Sequence, residues 1–165
     1  MSTTQPIRSK QLLHDFKDYY LTKQPNSRNY TLILIGLNTA LRINDILHLT
    51  WGDVYCTEHS RFYTHLLITE KKTEKETRIL INRELQETLL SYRKTQTSIA
   101  DTDYLFPSPR KADSPLSRYQ AYRIVRKAAE AVGIEDVIRC HSLRKTFGYH
   151  AWKMGTPPAL LMEIY

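Results

Sequence analysis

The chain has 165 residues, 41% of them hydrophobic and 25% charged, with 24 Lys+Arg against 17 Asp+Glu for a formal net charge of +7. That length suits one domain able to bury about 70% of the surface its unfolded chain exposes, and the composition is that of a soluble globular protein without repeats or low-complexity tracts. The opening MSTTQPIRSK lacks the apolar core of a signal peptide, TLILIGL is too short to span a bilayer, and isolated Cys56 and Cys140 offer no metal-ligand spacing, so secretion, membrane insertion and a metal site are not expected.

The elements read as mostly helices around one small sheet. In SKQLLHDFKDYYLTK, Leu12, Leu13, Phe16 and Tyr20 recur at helical spacing behind Ser9, a natural N-cap. SRNYTLILIGLNTAL is apolar nearly all round and predicts a buried helix. A short helix follows Arg42, with Asn44 as its expected cap. FYTHLLIT and TRILI carry strand residues on either side of the charged turn EKKTEKE and predict a hairpin. RELQETLLSYRK is an amphipathic helix pattern, and DTDYLFPSPRKADSP is a loop rich in turn formers. LSRYQAYRIVRKAAEAVG predicts a long helix closed by Gly133. HSLRKTFGYHAWKMG predicts another closed by Gly155, after which Thr156-Pro157 caps and starts a last one.

Charge is concentrated late in the chain. Between Arg110 and Lys153 ten basic residues face four acidic ones, which is +6 of the total +7. Such a surface attracts a polyanion, and Arg118, Arg123, Arg126, Lys127 and Lys145 are the candidate contacts to double-stranded DNA. A solvated basic helix face is the plain alternative. Cys140, between Arg139 and His141, reads as a small buried hydrophobe rather than a reactive thiolate.

Two further segments carry chemistry. TALRINDILHL places Arg42 at a helix start with Asp45 one turn on. HSLRKTF places His141 and Arg144 on one face of a helical turn. Arginine grips phosphate oxygens bidentately and keeps its charge when desolvated, so this set suits an anionic phosphorus centre. Each residue also has a structural reading: Arg42 with Asp45 as an i,i+3 ion pair, Lys72 as one charge on an exposed turn, His141 as a helix-start residue bonded to backbone. His14, His48, His59, His65 and His150 read as ordinary.

In order along the chain, TALRINDILHLTWGDV, KKTEKETRILI, LFPSPR and HSLRKTF resemble the boxes of the tyrosine recombinase (phage integrase) catalytic domain. Ala40 stands where that family has glycine, Ser142 where aspartate is common and Lys145 where histidine is common. The resemblance implies an α+β, mainly helical single domain with a small antiparallel hairpin, spanning residues 1–165. It implies site-specific recombination or integration of DNA, in a bacterial cytoplasm at the nucleoid, with self-association on DNA. Arg42 and Arg144 would bind the phosphate, Lys72 would protonate the departing 5′ oxygen, and His141 would bond the phosphate or help move the tyrosine proton. Asp45 would orient them, and no cofactor is required. Lys71 competes with Lys72, because a one-residue slip in a strand reverses its face.

By the same resemblance the chain starts at the catalytic domain, without the N-terminal core-binding domain, and stops before the nucleophilic tyrosine. Tyr165 stands where the family has a leucine. A non-catalytic DNA-binding module derived from a recombinase is therefore the second reading.

Overall fold

The computed structural model describes residues 3–69 and 73–164. Helix α1 spans Lys10–Asp18, its N-terminus closed by Ser9, whose Oγ accepts the Leu12 amide hydrogen at 3.2 Å. It runs on into a π-helical turn over Tyr19–Lys23, a widening that side-chain periodicity does not reveal. Phe16 and Tyr20 from this unit are buried. Helix α2, Ser27–Thr39, is capped by Asn26 and buries an unbroken run from Thr31 to Gly36, which makes it the axis of the molecule.

Helix α2 ends in a left-handed residue, Ala40, at φ 55. That conformation costs an L-residue with a Cβ about 1–2 kcal/mol. The exchange of glycine for alanine noted in the sequence is therefore a change of backbone cost as well as of size. Helix α3, Ile43–Leu47, follows directly. Its cap position belongs to Arg42, not to Asn44, because the Arg42 carbonyl accepts from the amides of Asp45 (3.0 Å) and Ile46 (3.1 Å). Helix α4 is the short Trp51–Val54.

The single expected sheet is two hairpins. Strands β1, Tyr55–Cys56, and β2, Arg61–Phe62, pair antiparallel, and β3, His65–Thr69, pairs separately with β4, Glu76–Leu80. The run FYTHLLIT breaks because Phe62 pairs back onto Tyr55 while the Tyr63 amide turns to the Val54 carbonyl at 2.8 Å. Leu66 anchors the second hairpin in the core, whereas Leu67 and Leu80 face solvent.

Helix α5, Arg83–Lys94, starts at Asn82. The loop after it is pinned rather than free: the Leu105 amide donates to the Leu49 carbonyl, the Tyr92 hydroxyl donates to the Leu105 carbonyl, and Leu105 and Phe106 are fully buried. Helix α6, Arg118–Ala131, opens with a reciprocal Ser117–Gln120 cap and closes before Gly133 at φ 78. Helix α7 covers Cys140–Lys153, ahead of Gly155 at φ 98. Ser142 accepts the Arg139 amide hydrogen through Oγ at 3.0 Å, the helix-start bond that an aspartate at this place would also make. Helix α8 is Pro158–Ile164, and its cap is Pro157, whose carbonyl accepts from Leu160. Helices α5 and α7 both pack on α2, and α6 packs on α3 and α7. The segments holding Arg42 and His141 thereby meet at one end of the central helix.

Candidate functional site

The key contact is between Arg144 and the left-handed turn ahead of Arg42. Arg144 lies in the second turn of α7, is only 9% exposed, and donates from Nε to the Ala40 carbonyl at 2.7 Å. This bond spans 104 positions in sequence and fixes the plane of the guanidinium against the loop that carries Arg42. The αL turn aims that carbonyl, so local backbone geometry and the long-range contact are one arrangement. Arg42 is exposed, and among the described residues it forms no hydrogen bond or ion pair. The Arg42–Asp45 ion pair considered from the sequence is thus not formed; Asp45 sits half-buried in the first turn of α3.

His141, the second residue of α7, is exposed on the same side. Its pKa is held below the ordinary histidine value, first by partial desolvation and then by the positive charges of Lys145, Arg144 and Arg42. That Arg42 acts on His141 at all reports one shared positive field built from two distant segments. A neutral imidazole in such a field can accept a proton, and an anion entering it is attracted by every neighbour. Lys71 and Lys72, the candidates from the charged turn, lie outside the described residues.

The five expected DNA contacts divide. Arg118, Arg123 and Lys127 are exposed on α6. Arg126 is exposed but tied, through Nε to Glu130 and through Nη1 to the Tyr122 hydroxyl at 2.7 Å. Lys145 is half-buried and turned away from solvent: its Nζ donates to the Thr4 carbonyl at 2.6 Å, so as it stands it is not an open phosphate contact. Cys140 carries a thiol pushed up to about 11 by burial, which removes the thiolate reading.

Sequence reasoning missed the aromatic half of the α6 surface. Tyr119 is 66% exposed, its ring is 6.2 Å from that of Tyr122, Arg123 lies 6.0 Å over Tyr119, and both Arg126 and Arg139 lie 5.9 Å from Tyr122. The signal was present as two tyrosines each followed four residues later by arginine in RYQAYRIVR. A groove of about 480 Å³ lies elsewhere, beside Tyr20, Tyr30 and Glu84. Among the described residues no cluster of three or more His, Cys, Asp or Glu is arranged to hold a metal ion.

Comparison with known proteins gives consistent matches. The profile of the phage integrase family matches residues 5–165. Over 164 residues the chain is 43% identical to the probable integrase/recombinase YoeC of Bacillus subtilis strain 168, covering 99% of this chain and 83% of that protein. It is 31% identical over 137 residues to the type 1 fimbriae regulatory protein FimE of Escherichia coli K12, covering 83% of this chain and 67% of FimE. Among solved structures, XerA recombinase superposes over 98% of this chain with a TM-score of 0.77 at 20% identity, and the lambda integrase catalytic core over 98% with 0.69 at 15%. The chain spans 56% of the XerA chain and 90% of the lambda core. The fold is that of these catalytic cores.

Proposed function

The chain belongs to the phage integrase family, and on that premise we propose that its cation cluster grips the scissile phosphodiester of double-stranded DNA in site-specific strand breakage and rejoining. The observation that carries this reading is the Arg144–Ala40 bond, which joins the α7 cations to the Arg42 loop. A tyrosine hydroxyl attacks phosphorus, the 3′-phosphotyrosyl bond forms, and the bond to the 5′ oxygen breaks with a proton delivered to that oxygen. Negative charge grows on the non-bridging oxygens during attack. Arg42 and Arg144 bind those oxygens harder in the transition state than in the ground state, an effect worth about 10³–10⁵ in rate for one such arginine.

His141, whose pKa is lowered first by partial burial and then by its cationic neighbours, is suited to take the tyrosine proton or to bond the phosphate. On the motif alone, Asp45 is assigned the orienting of the arginines and histidine, and Lys72 the leaving-group proton. Tyr20 and Tyr92 are unsuited to attack: both hydroxyls are buried, donate to backbone carbonyls and are pushed up to about 12. On the motif alone, the attacking tyrosine is assigned to a position beyond Tyr165.

The exposed basic and aromatic face of α6 supports duplex binding beside this site, with a second copy on the same DNA and the nucleoid as the place of action. No helix of the described residues is long and apolar enough to cross a membrane. The purely DNA-binding alternative accounts for α6 but not for the gathering of Arg42 with the α7 cations around His141.

The test is titration of duplex DNA at several salt concentrations. With about four to six phosphates engaged, affinity should fall by about 10²–10³ between 50 and 200 mM salt, and Arg42→Ala should lower the slope by about one. A salt-independent response would overturn the reading.

A further inference from the structure

Residues 3–9 form no regular element, yet most of them are fastened to α7 and its approach. The Gln5 amide donates to the Val137 carbonyl at 3.1 Å. The Ile7 amide donates to Thr146 Oγ1 at 2.9 Å, and His150 Nε2 bonds the Ile7 carbonyl at 2.8 Å. Ile7 itself is 2% exposed in the core, and the Arg8 guanidinium lies 5.9 Å from the Tyr149 ring. The Ile7 end is therefore locked by burial and two bonds. The Thr4 end is different. It is held by one ammonium, Lys145 Nζ on the Thr4 carbonyl, and by the neighbouring Gln5 amide.

Lys145 follows Arg144 directly and lies one turn from His141, whose charge it opposes. Its present partner is a neutral carbonyl. A DNA phosphate at the Arg42–Arg144 pair would offer an anionic acceptor, and hydrogen bonds between charged partners are roughly twice as strong as neutral ones. A lysine has the four-carbon stem and three rotatable donors needed to change partners without moving its helix. Resting on the DNA reading above, we propose that residues 4–8 form a strap latched to α7 by Lys145, and that an arriving DNA phosphate takes the Lys145 ammonium from the Thr4 carbonyl. Loading of the site and seating of the N-terminal strap are then coupled, and the coupling is reciprocal: whatever lifts the strap tightens phosphate binding.

The test uses amide hydrogen exchange on the full chain, free and with a duplex oligonucleotide. The Gln5 amide should exchange at least about tenfold faster with DNA bound, while the Ile7 amide keeps its protection and serves as the folded-state control. In Lys145→Met the Gln5 amide should be fast already and no longer respond to DNA. If DNA binds and Gln5 protection does not change, or if Lys145→Met leaves Gln5 slow and still responsive, the latch is wrong. If no duplex binds at low salt, the DNA reading itself fails, and the two failures are thereby told apart.

Discussion

A Cβ built on Gly36 of α2 would stand 2.5 Å from Cδ1 and 3.1 Å from Cβ of Leu143 on α7. Helix α7, which carries Arg144, and the helix that leads to Ala40 thus touch with no room for a methyl group, and Leu143 is the residue immediately before Arg144. Glycine inside a helix costs about 1 kcal/mol relative to alanine, so this contact is retained against local propensity.

Gly36→Ala should therefore destabilise despite its better helix propensity. Overpacking of a buried contact costs about 1–3 kcal/mol against the roughly 1 kcal/mol gained in propensity. The Leu143 side chain can turn its Cδ1 aside, but its Cβ moves only with α7. Thermal melting should fall by several degrees. Phosphate-dependent DNA binding should fall further than the lost stability accounts for, because Arg144 shifts with the helix; a variant as stable and as tight as the parent would remove this role for Gly36.

Ala40→Gly should act in the opposite sense. Glycine relieves the cost of φ 55, about 1–2 kcal/mol, and gives back about 0.4–1 kcal/mol through a more flexible unfolded chain. The net expectation is a gain of about 0.5–1 kcal/mol in urea unfolding, with DNA binding retained because the carbonyl that holds Arg144 is still present.

The pH dependence follows from His141. Its folded-state pKa lies below its unfolded value of 6.5, so near and below pH 6.5 the unfolded chain binds a proton that the folded chain resists. This group's share of stability is complete above that pH and is lost as pH falls through the folded value. An entering phosphate reverses the repulsion and favours the imidazolium. Duplex affinity at fixed salt should consequently rise between pH 7.5 and 5.5, and His141→Gln should flatten that rise; an unchanged profile in the variant would place the titration elsewhere.

On α6 the basic residues are not equivalent. Arg118→Ala, Arg123→Ala and Lys127→Ala should each lower the salt slope of DNA binding by up to about one. Arg126→Ala should do less, since Glu130 already engages that guanidinium. Glu130→Gln should strengthen binding by releasing Arg126 and deleting an opposing charge. Equal effects from Arg123→Ala and Arg126→Ala would show that the pair to Glu130 opens freely on DNA.

Most helices were legible because apolar spacing and caps agree, as in Ser9 ahead of α1 and Gly133 behind α6. The π-turn at Tyr19–Lys23 was not, since one widened turn leaves the apolar spacing intact. The break in FYTHLLIT was hidden because Phe62 and Leu66 both favour strand and only the pairing partner differs. At the candidate site, Arg42, His141 and Arg144 were readable as a motif, whereas the bond from Arg144 to the Ala40 carbonyl was not, because any residue supplies a carbonyl. The same holds for Lys145 and Thr4, 141 positions apart and joined through backbone oxygen.

The choice between Lys71 and Lys72 is decided by leaving-group chemistry. A lysine that protonates the 5′ oxygen matters only when the leaving group needs a proton. In cleavage of a duplex by the recombination-competent enzyme, Lys72→Ala should suppress the phosphotyrosyl adduct on an ordinary phosphodiester. It should leave the adduct largely intact when the bridging 5′ oxygen is replaced by sulfur, since a thiolate departs unprotonated. Lys71→Ala should treat both substrates alike. Arg144→Ala should abolish the adduct with either substrate, because the role proposed for it is on the non-bridging oxygens. If Lys71→Ala shows the sulfur rescue and Lys72→Ala does not, Lys71 is the acid. If neither shows it, the proton comes from another group, and the hairpin serves only to hold DNA.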